Sequence, residues 1–536
     1  MIVDFMLEKG VLVEASIFDN IKNETKAEIL NVIKNNVAAD ELCDDFYNDF
    51  MERFIFLDDG QNISTVFDLD KDESENCNSN GSLFLKTKTI EKSTVLDSDV
   101  TKNVEVLSKK SDKIDEEFIE GSVDILFSYR ETNKKKNVND FVSLFNSRYK
   151  QIKNMFIGRT ELQGLSSISR IIGKKDENVA IIGLISEKEQ TKNGNFILTL
   201  EDPTGIIKVL VTQKNSELFE FTKNLVYDEV VAVTGQVNEN IIFANNILQP
   251  DIPMTKELKK CNDDIYAIFL SDIHVGSNNF LEDKFDKFIS WLNGEIGTEA
   301  HKQLVKKIKY VFIAGDLVDG IGIYPGQDEE LVVKDIHEQY KICAQKLAKF
   351  PKHMKIIVAP GNHDAMRLSE PQPVLYEDYA KEMHQLPNVT LISNPGVVRI
   401  HRTKDFPGFD VLLYHGSSFD YYFANVDELR QNGGYDRPDL LMTFLLKRRH
   451  LAPAYGSTTY LPDYKKDYLV IEYVPDFFVT GHIHKSIIAN YRNVTMISCS
   501  CWQKKTAYEE KLGHNPEPAR VPLVSLKTRQ SKILKF

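Results

Sequence analysis

Five short segments recur down the second half of the chain, each setting Asp, Asn or His beside glycine or at the end of an apolar run. They are SDIH (271–274), GDLVDG (315–320), GNHD (361–364), YHG (414–416) and GHIH (481–484). Most follow a β-branched apolar stretch, as Ile265, Tyr266, Ala267, Ile268, Phe269 and Leu270 precede SDIH. Such a run reads as a buried strand, and strand tips are where α/β sheets present functional side chains. Flanking glycine lets neighbouring backbones approach with no Cβ between them. The intervening stretches 283–293 and 329–349 read as helices, so 261–536 is expected to be an α/β arrangement with its sheets covered by helices. All 12 histidines lie between His274 and His514, which places the chemistry in the same half.

A chain of 536 residues is longer than one core usually grows, so several domains are expected. Residues 1–58 carry mixed three- and four-residue apolar spacings and read as a small helical domain. Residues 59–137, rich in Ser, Asn, Asp and Lys, read as a flexible polar linker that cannot bury enough apolar surface to offset its ordering entropy. Residues 138–177 read as a helical connector, with Val138, Phe141, Phe145, Tyr149, Ile152 and Phe156 forming one stripe. Residues 178–255 read as a β-barrel of the OB type. Its five strands fall over 179–185, 195–202, 206–212, 229–237 and 241–249, with a longer connection between the third and fourth. Basic and aromatic residues are sparse on those strands, so the barrel suits either single-strand binding or a docking role.

The net charge of −13 gives no overall pull toward nucleic acid, so any such contact needs a local basic surface. Lys447, Arg448 and Arg449 form the best basic run and are candidates to contact DNA or a partner, or simply to be a solvated helix face. Arg367 is a candidate phosphate contact or an ion-pair partner of Glu370. Six scattered cysteines and a start without signal-peptide character point to a reducing, cytoplasmic setting. Cys499 and Cys501 read as ordinary strand cysteines. No apolar run reaches the ~20 residues a membrane span needs.

The ligand-competent residues are Asp272, His274, Asp316, Asn362, His415, His482 and His484. Two divalent ions ~3.5–4 Å apart can stabilise phosphoryl charge and generate hydroxide at neutral pH. Seven residues would serve such a pair if Asp316 bridged it. Mixed imidazole, carboxylate and amide ligation suits Mn²⁺, with Mg²⁺, Fe²⁺ or Zn²⁺ as alternatives.

This series resembles the calcineurin-like metallophosphoesterase superfamily, which includes the Mre-type nucleases. The text between the motifs is closer still: 315–327 (GDLVDGIGIYPGQ), 361–373 (GNHDAMRLSEPQP), 445–456 (LLKRRHLAPAYG) and the ending from Trp502 to Pro518 are similar to the small exonuclease subunits of archaeal family-D DNA polymerases. The resemblance covers roughly 138–536 and implies a two-sheet metallophosphoesterase sandwich flanked by helices, preceded by the OB-fold. It implies a first metal held by Asp272, His274 and His484, a second by Asn362, His415 and His482, and Asp316 between them. His363 would orient the scissile phosphate and protonate the departing 3′ oxygen, with Asp364 holding its ring. Asp319 and Tyr324 would either contact substrate or pack their loop. The implied activity is 3′→5′ exonucleolytic proofreading of single-stranded or mismatched DNA ends, in a heterodimer with a large catalytic polymerase subunit. The alternatives are a catalytically silent polymerase B-subunit scaffold and a phosphoesterase of small phosphorylated molecules.

Overall fold

The computed structural model describes residues 121–131, 135–463, 465–506, 509–510 and 514–536. The helical domain expected over 1–58 and most of the stretch 59–137 lie outside the described residues.

Helix Val138–Phe156 starts at a reciprocal cap. The Asn137 side chain accepts from the Asn139 N–H, and the Asp140 carboxylate accepts from the Asn137 N–H at 2.7 Å. Its stripe buries Tyr149, Ile152 and Phe156 against Ala180, Ile182, Val230 and Ala232 of the barrel.

The barrel strands are Lys175–Gln190, Phe196–Asp202, Gly205–Val211, Val230–Asn238 and Ile241–Leu248. They close in the order first, second, third, fifth, fourth, and the fourth pairs antiparallel with the first. Helix Ser216–Lys223 fills the long connection between the third and fourth strands. Alternation drives the closure: Leu198, Leu200, Ile207, Val209 and Val211 point into the interior, while Lys208, between Ile207 and Val209, stays exposed.

The rest is a sandwich of two six-stranded sheets. One runs Val389–Leu391, Lys355–Ala359, Ile308–Ala314, Tyr266–Leu270, Arg520–Ser525, Ser531–Lys535; the other runs Val123–Ser128, Gly396–Ile400, Phe409–Leu413, Phe477–Thr480, Val494–Ser498, Ile487–Tyr491. Phe269, Phe312, Val411, Phe477 and Ile497 pack between the sheets. Helices Glu282–Leu292 and Ile336–Ala348 cover the first sheet, and Pro438–Arg448 covers the second. The mixed α/β class and the OB barrel match the expected architecture.

Two local expectations change. The end of the expected linker is a strand: Val123–Ser128 pairs antiparallel with Gly396–Ile400. Its VDILFS run carries enough β-branched and aromatic character to take an open ladder, and Val123 and Phe127 pack onto the cores behind. The expected helix over 329–349 is two pieces, Gln327–Glu330 and Ile336–Ala348. Leu331 between them is extended and bridges to Ser277, and Asp335 starts the second piece by accepting from the Glu338 N–H at 2.9 Å. Among the described residues no helix is long and apolar enough to cross a membrane.

Candidate metal centre

The five motif segments follow the C-terminal ends of five strands. Tyr266–Leu270, Ile308–Ala314 and Lys355–Ala359 are mutually parallel in one sheet, as are Phe409–Leu413 and Phe477–Thr480 in the other. All five tips therefore meet at one edge of the sandwich. The turns are then bonded to each other: Asp272 N–H donates to Gly315 O at 2.9 Å, Ile273 N–H to Asp316 O at 2.7 Å, and Gly481 N–H to His415 O at 2.9 Å.

Five of the candidate ligands sit in left-handed backbone: Asp272 (φ 51°), His274 (54°), Asp316 (52°), His482 (69°) and His484 (55°). Asp and His tolerate that region better than most side chains, so the ligand types also suit the tight turns. Glycine is required where the turns touch. A Cβ on Gly361 would lie 2.6 Å from Asp316 N, and one on Gly315, itself at φ 93°, would lie 2.8 Å from the Gly361 Cα.

Donor atoms converge in three overlapping groups, one of them His274, Asp316 and His363. Asp272, His274 and His484 form one group, with His484 Nε2 3.3 Å from both His274 Nε2 and Asp272 Oδ1. Asp272, Asp316 and His415 form another, with His415 Nε2 3.3 Å from Asp316 Oδ2 and 2.8 Å from Asn362 Oδ1. Asp316 Oδ2 lies between the groups, 3.9 Å from His274 Nε2, while Oδ1 is occupied by the His363 N–H at 2.8 Å. His482 stands beside His415 with ring centroids 5.2 Å apart.

The opposite ring nitrogens are held from outside. His274 Nδ1 meets Asp319 at 3.1 Å, His484 Nδ1 meets Glu509 at 2.7 Å, His415 Nδ1 meets the Ala314 carbonyl at 2.8 Å, and His482 Nε2 meets Asp420 at 3.0 Å. This fixes each ring so that its other nitrogen turns inward. The interior is thus a set of buried lone pairs facing one another, which is tolerable only with positive charge among them. Without a metal, protons take that role. Burial would lower His415, but Asp316 and Asp272 more than offset it and push it up to about 10. Burial would raise Asp316, yet His415 and His363 hold it well below the usual carboxylate range. The donor set fits divalent cations.

The calcineurin-like phosphoesterase family model matches residues 266–486, and the OB-fold nucleic acid binding domain model matches 179–249. The DNA polymerase II small subunit of Methanothermobacter thermautotrophicus is 40% identical over 388 residues, covering 72% of this chain and 78% of its own. That of Archaeoglobus fulgidus is 40% identical over 385 residues, covering 72% and 75%. That of Halobacterium salinarum is 36% identical over 399 residues, covering 74% and 75%. The chain belongs to the DNA polymerase II small subunit family.

In this small subunit, the geometry corrects several site expectations. Asp364 does not hold the His363 ring. It accepts from the Gly361 N–H at 2.8 Å and the Tyr340 hydroxyl at 3.0 Å, bracing the GNHD turn, and burial beside Asp316 pushes it up to about 7. The Asp319 carbonyl holds His363 instead, accepting from Nδ1 at 2.8 Å. Arg367 pairs with Glu131 rather than Glu370, and donates to the Ser369 and Pro371 carbonyls. Glu370 is buried and accepts from the Tyr414 hydroxyl at 3.0 Å. Arg448 and Arg449 are not a basic surface. Arg448 is buried with Nε 2.9 Å from Glu229 on the barrel, and Arg449 donates to the Ile471 and Glu472 carbonyls at 2.9 and 2.8 Å. The helix ends at Arg448, already on its buried face, and Arg449 caps it in left-handed backbone (φ 51°). Only Lys447 of the three remains partly exposed, over the Tyr491 ring.

Glu509 and Asp420, which fix His484 and His482, were not among the expected site residues. Thr506 and Glu509 carry a capping-box spacing, and the Glu509 carboxylate accepts from the Thr506 N–H at 2.8 Å. That spacing was a visible signal for a helix start but not for a ligand-holding role.

Proposed function

We propose that this chain is a two-metal 3′→5′ DNA exonuclease, the proofreading subunit paired with a large catalytic polymerase subunit. The observation that supports this reading is the convergence of Asp272, His274, Asp316, His415 and His484, with Asn362 against His415 and an outer partner on each of His274, His415, His482 and His484. A silent scaffold has no need of either.

Asp272, His274 and His484 would hold one ion, Asn362, His415 and His482 the other, with Asp316 shared. Mn²⁺ suits the nitrogen and oxygen donors. When bound, such a pair supplies Lewis-acid stabilisation of the phosphoryl oxygens and a water of lowered pKa. The chain's own residues do the rest. His363 is half-buried and commits Nδ1–H to the Asp319 carbonyl, so Nε2 is the nitrogen it offers to substrate. A docked phosphodiester favours the imidazolium, whose Nε2–H then serves the departing 3′ oxygen. Asp319 keeps both His274 and His363 in orientation, and Asp364 keeps the turn between Gly361 and Ala365 in place. Frayed, mismatched ends are preferred because they need less unpairing to reach the site.

The test compares 3′-labelled with 5′-labelled single-stranded oligonucleotides, with and without Mn²⁺, using the chain alone and with its large subunit. Release of labelled mononucleotide from the 3′ end, dependent on metal, is expected. Inactivity under every condition would favour the scaffold, and turnover of small phosphoesters without DNA cleavage would favour the third reading.

A further inference from the structure

Tyr324 sits on the loop between Gly320 and Gln327, immediately beside the metal centre. Its ring centroid lies 6.4 Å from that of His363 at an interplanar angle of 60°, and His363 lies 4.6 Å from His274. A row of rings therefore leads outward from a candidate ligand, through the candidate acid, to Tyr324.

The position of that last ring is fixed from two sides. Its hydroxyl donates to Glu330 at 2.9 Å. Gln327, buried at the loop's end, donates through Nε2 to the Asp319 carbonyl at 2.8 Å and carboxylate at 2.9 Å, and accepts from the Ile323 N–H at 2.9 Å. Asp319 is the residue that orients both His274 and His363. One buried amide thus ties the Tyr324 loop to the group that sets the catalytic geometry. Gly320 presses the loop against the His363 backbone, where a Cβ would collide with the His363 carbonyl oxygen. The outer residues Ile321, Gly322, Pro325 and Gly326 are exposed, and Tyr324 is half-buried among them.

The metal-ligating residues recognise a phosphodiester and nothing of the base attached to it. We propose that Tyr324 is the stacking platform for the nucleobase of the 3′-terminal nucleotide, a base subsite built on the 320–330 loop. This rests on the exonuclease reading, and supplies what that reading lacks, a group that distinguishes a nucleotide from any other phosphoester. A planar ring beside the candidate acid accepts every base, because each has a π face.

The decisive measurement titrates dTMP and 2-deoxyribose 5-phosphate into the full chain with Mn²⁺, for the wild type, Tyr324→Phe and Tyr324→Ala. The wild type and Tyr324→Phe should bind dTMP about 10-fold or more tighter than the sugar phosphate, within the range of base–aromatic stacking. Tyr324→Ala should bind the two equally, with its affinity for the sugar phosphate unchanged. No preference in the wild type, a preference retained in Tyr324→Ala, or a loss of both ligands in Tyr324→Ala would each overturn the subsite. A second arm compares oligonucleotides ending in a natural and an abasic 3′ residue, where Tyr324→Ala should slow only the former. If the wild type releases no 3′ nucleotide, the exonuclease reading falls, while the titration still decides whether Tyr324 holds a base.

Discussion

Two buried polar clusters stand within the described body, and they solve the problem of buried charge in opposite ways. At the joint of connector helix, barrel and phosphoesterase, Arg148 and Arg448 each have a counter-charge in the chain and Arg449 is held by carbonyls. Arg148 meets Asp467 at 2.7 Å and also donates to the Pro453 and Asp228 carbonyls, and Arg448 pairs with Glu229. His450 donates to Asp467 through Nε2 at 2.9 Å while its Nδ1 accepts from the Ala452 N–H, so it is satisfied when neutral. At the candidate metal centre the outer atoms have fixed partners, whereas the inner donor atoms face one another. The lesson is that burial and charge do not mark a functional site by themselves. A surplus of converging lone pairs does.

That contrast can be broken experimentally. The largest effect should come from Asp316→Ala, which removes the shared carboxylate: cleavage is expected to vanish and metal content, measured by mass spectrometry, to fall below two per chain. Two ions retained would deny the bridging place of Asp316. His363→Ala should lower cleavage by about 10²–10⁴-fold, the usual share of a general acid, with both metals kept. Metal loss in that variant would make His363 a ligand instead. Arg148→Ala should do the reverse, leaving metal content intact while costing roughly 3–5 kcal/mol in denaturant unfolding, because Asp467 is left buried without its cationic partner.

Acid should act on the joint as well. Burial and the nearby Arg148 push His450 down to about 4, so the folded state resists its protonation. A folded pKa below the unfolded value means full stability above pH 6.5 and progressive loss as pH falls toward 4, reaching roughly 3 kcal/mol. His450→Gln should flatten that slope between pH 7 and 4.5; an unchanged slope would remove His450 from the account. Lys447→Ala should be the mildest, within about 0.5–1 kcal/mol of wild type, since it removes only a partly exposed contact over the Tyr491 ring. A large loss would show that the basic run has a buried role along its whole length.

The convergence of candidate ligands was legible because its signals are local. Glycine, a strand end and an Asp or His fall within four residues of one another in segment after segment, and the turn chemistry that demands the glycine also positions the ligand. The barrel was legible through strict alternation. What escaped was set by pairings distant in sequence. Three basic residues in a row read as a surface, and nothing near 448 announces Glu229. Asp364 neighbours His363 in sequence, yet a tight turn sends the two side chains apart, and the carbonyl of Asp319 takes the expected place. Val123–Ser128 was hidden because a polar neighbourhood outweighed a six-residue apolar run, and its partner strand begins at Gly396.

The joint also governs where the gene can be cut. Residues 115–536 behave as one compact unit, although two family models divide it at about 250. Expressing the barrel apart from the phosphoesterase would place Glu229 on one fragment and Arg448 on the other, and Arg148 with or without Asp467 according to the cut. Each fragment would surface an ion or neutralise it. A truncation through residue 137 would also strip an edge strand and the cap of the first described helix, whereas one ending at 120 would spare both. The modules visible in the sequence are units of pattern; the unit that can be handled in a test tube is the whole of what they share.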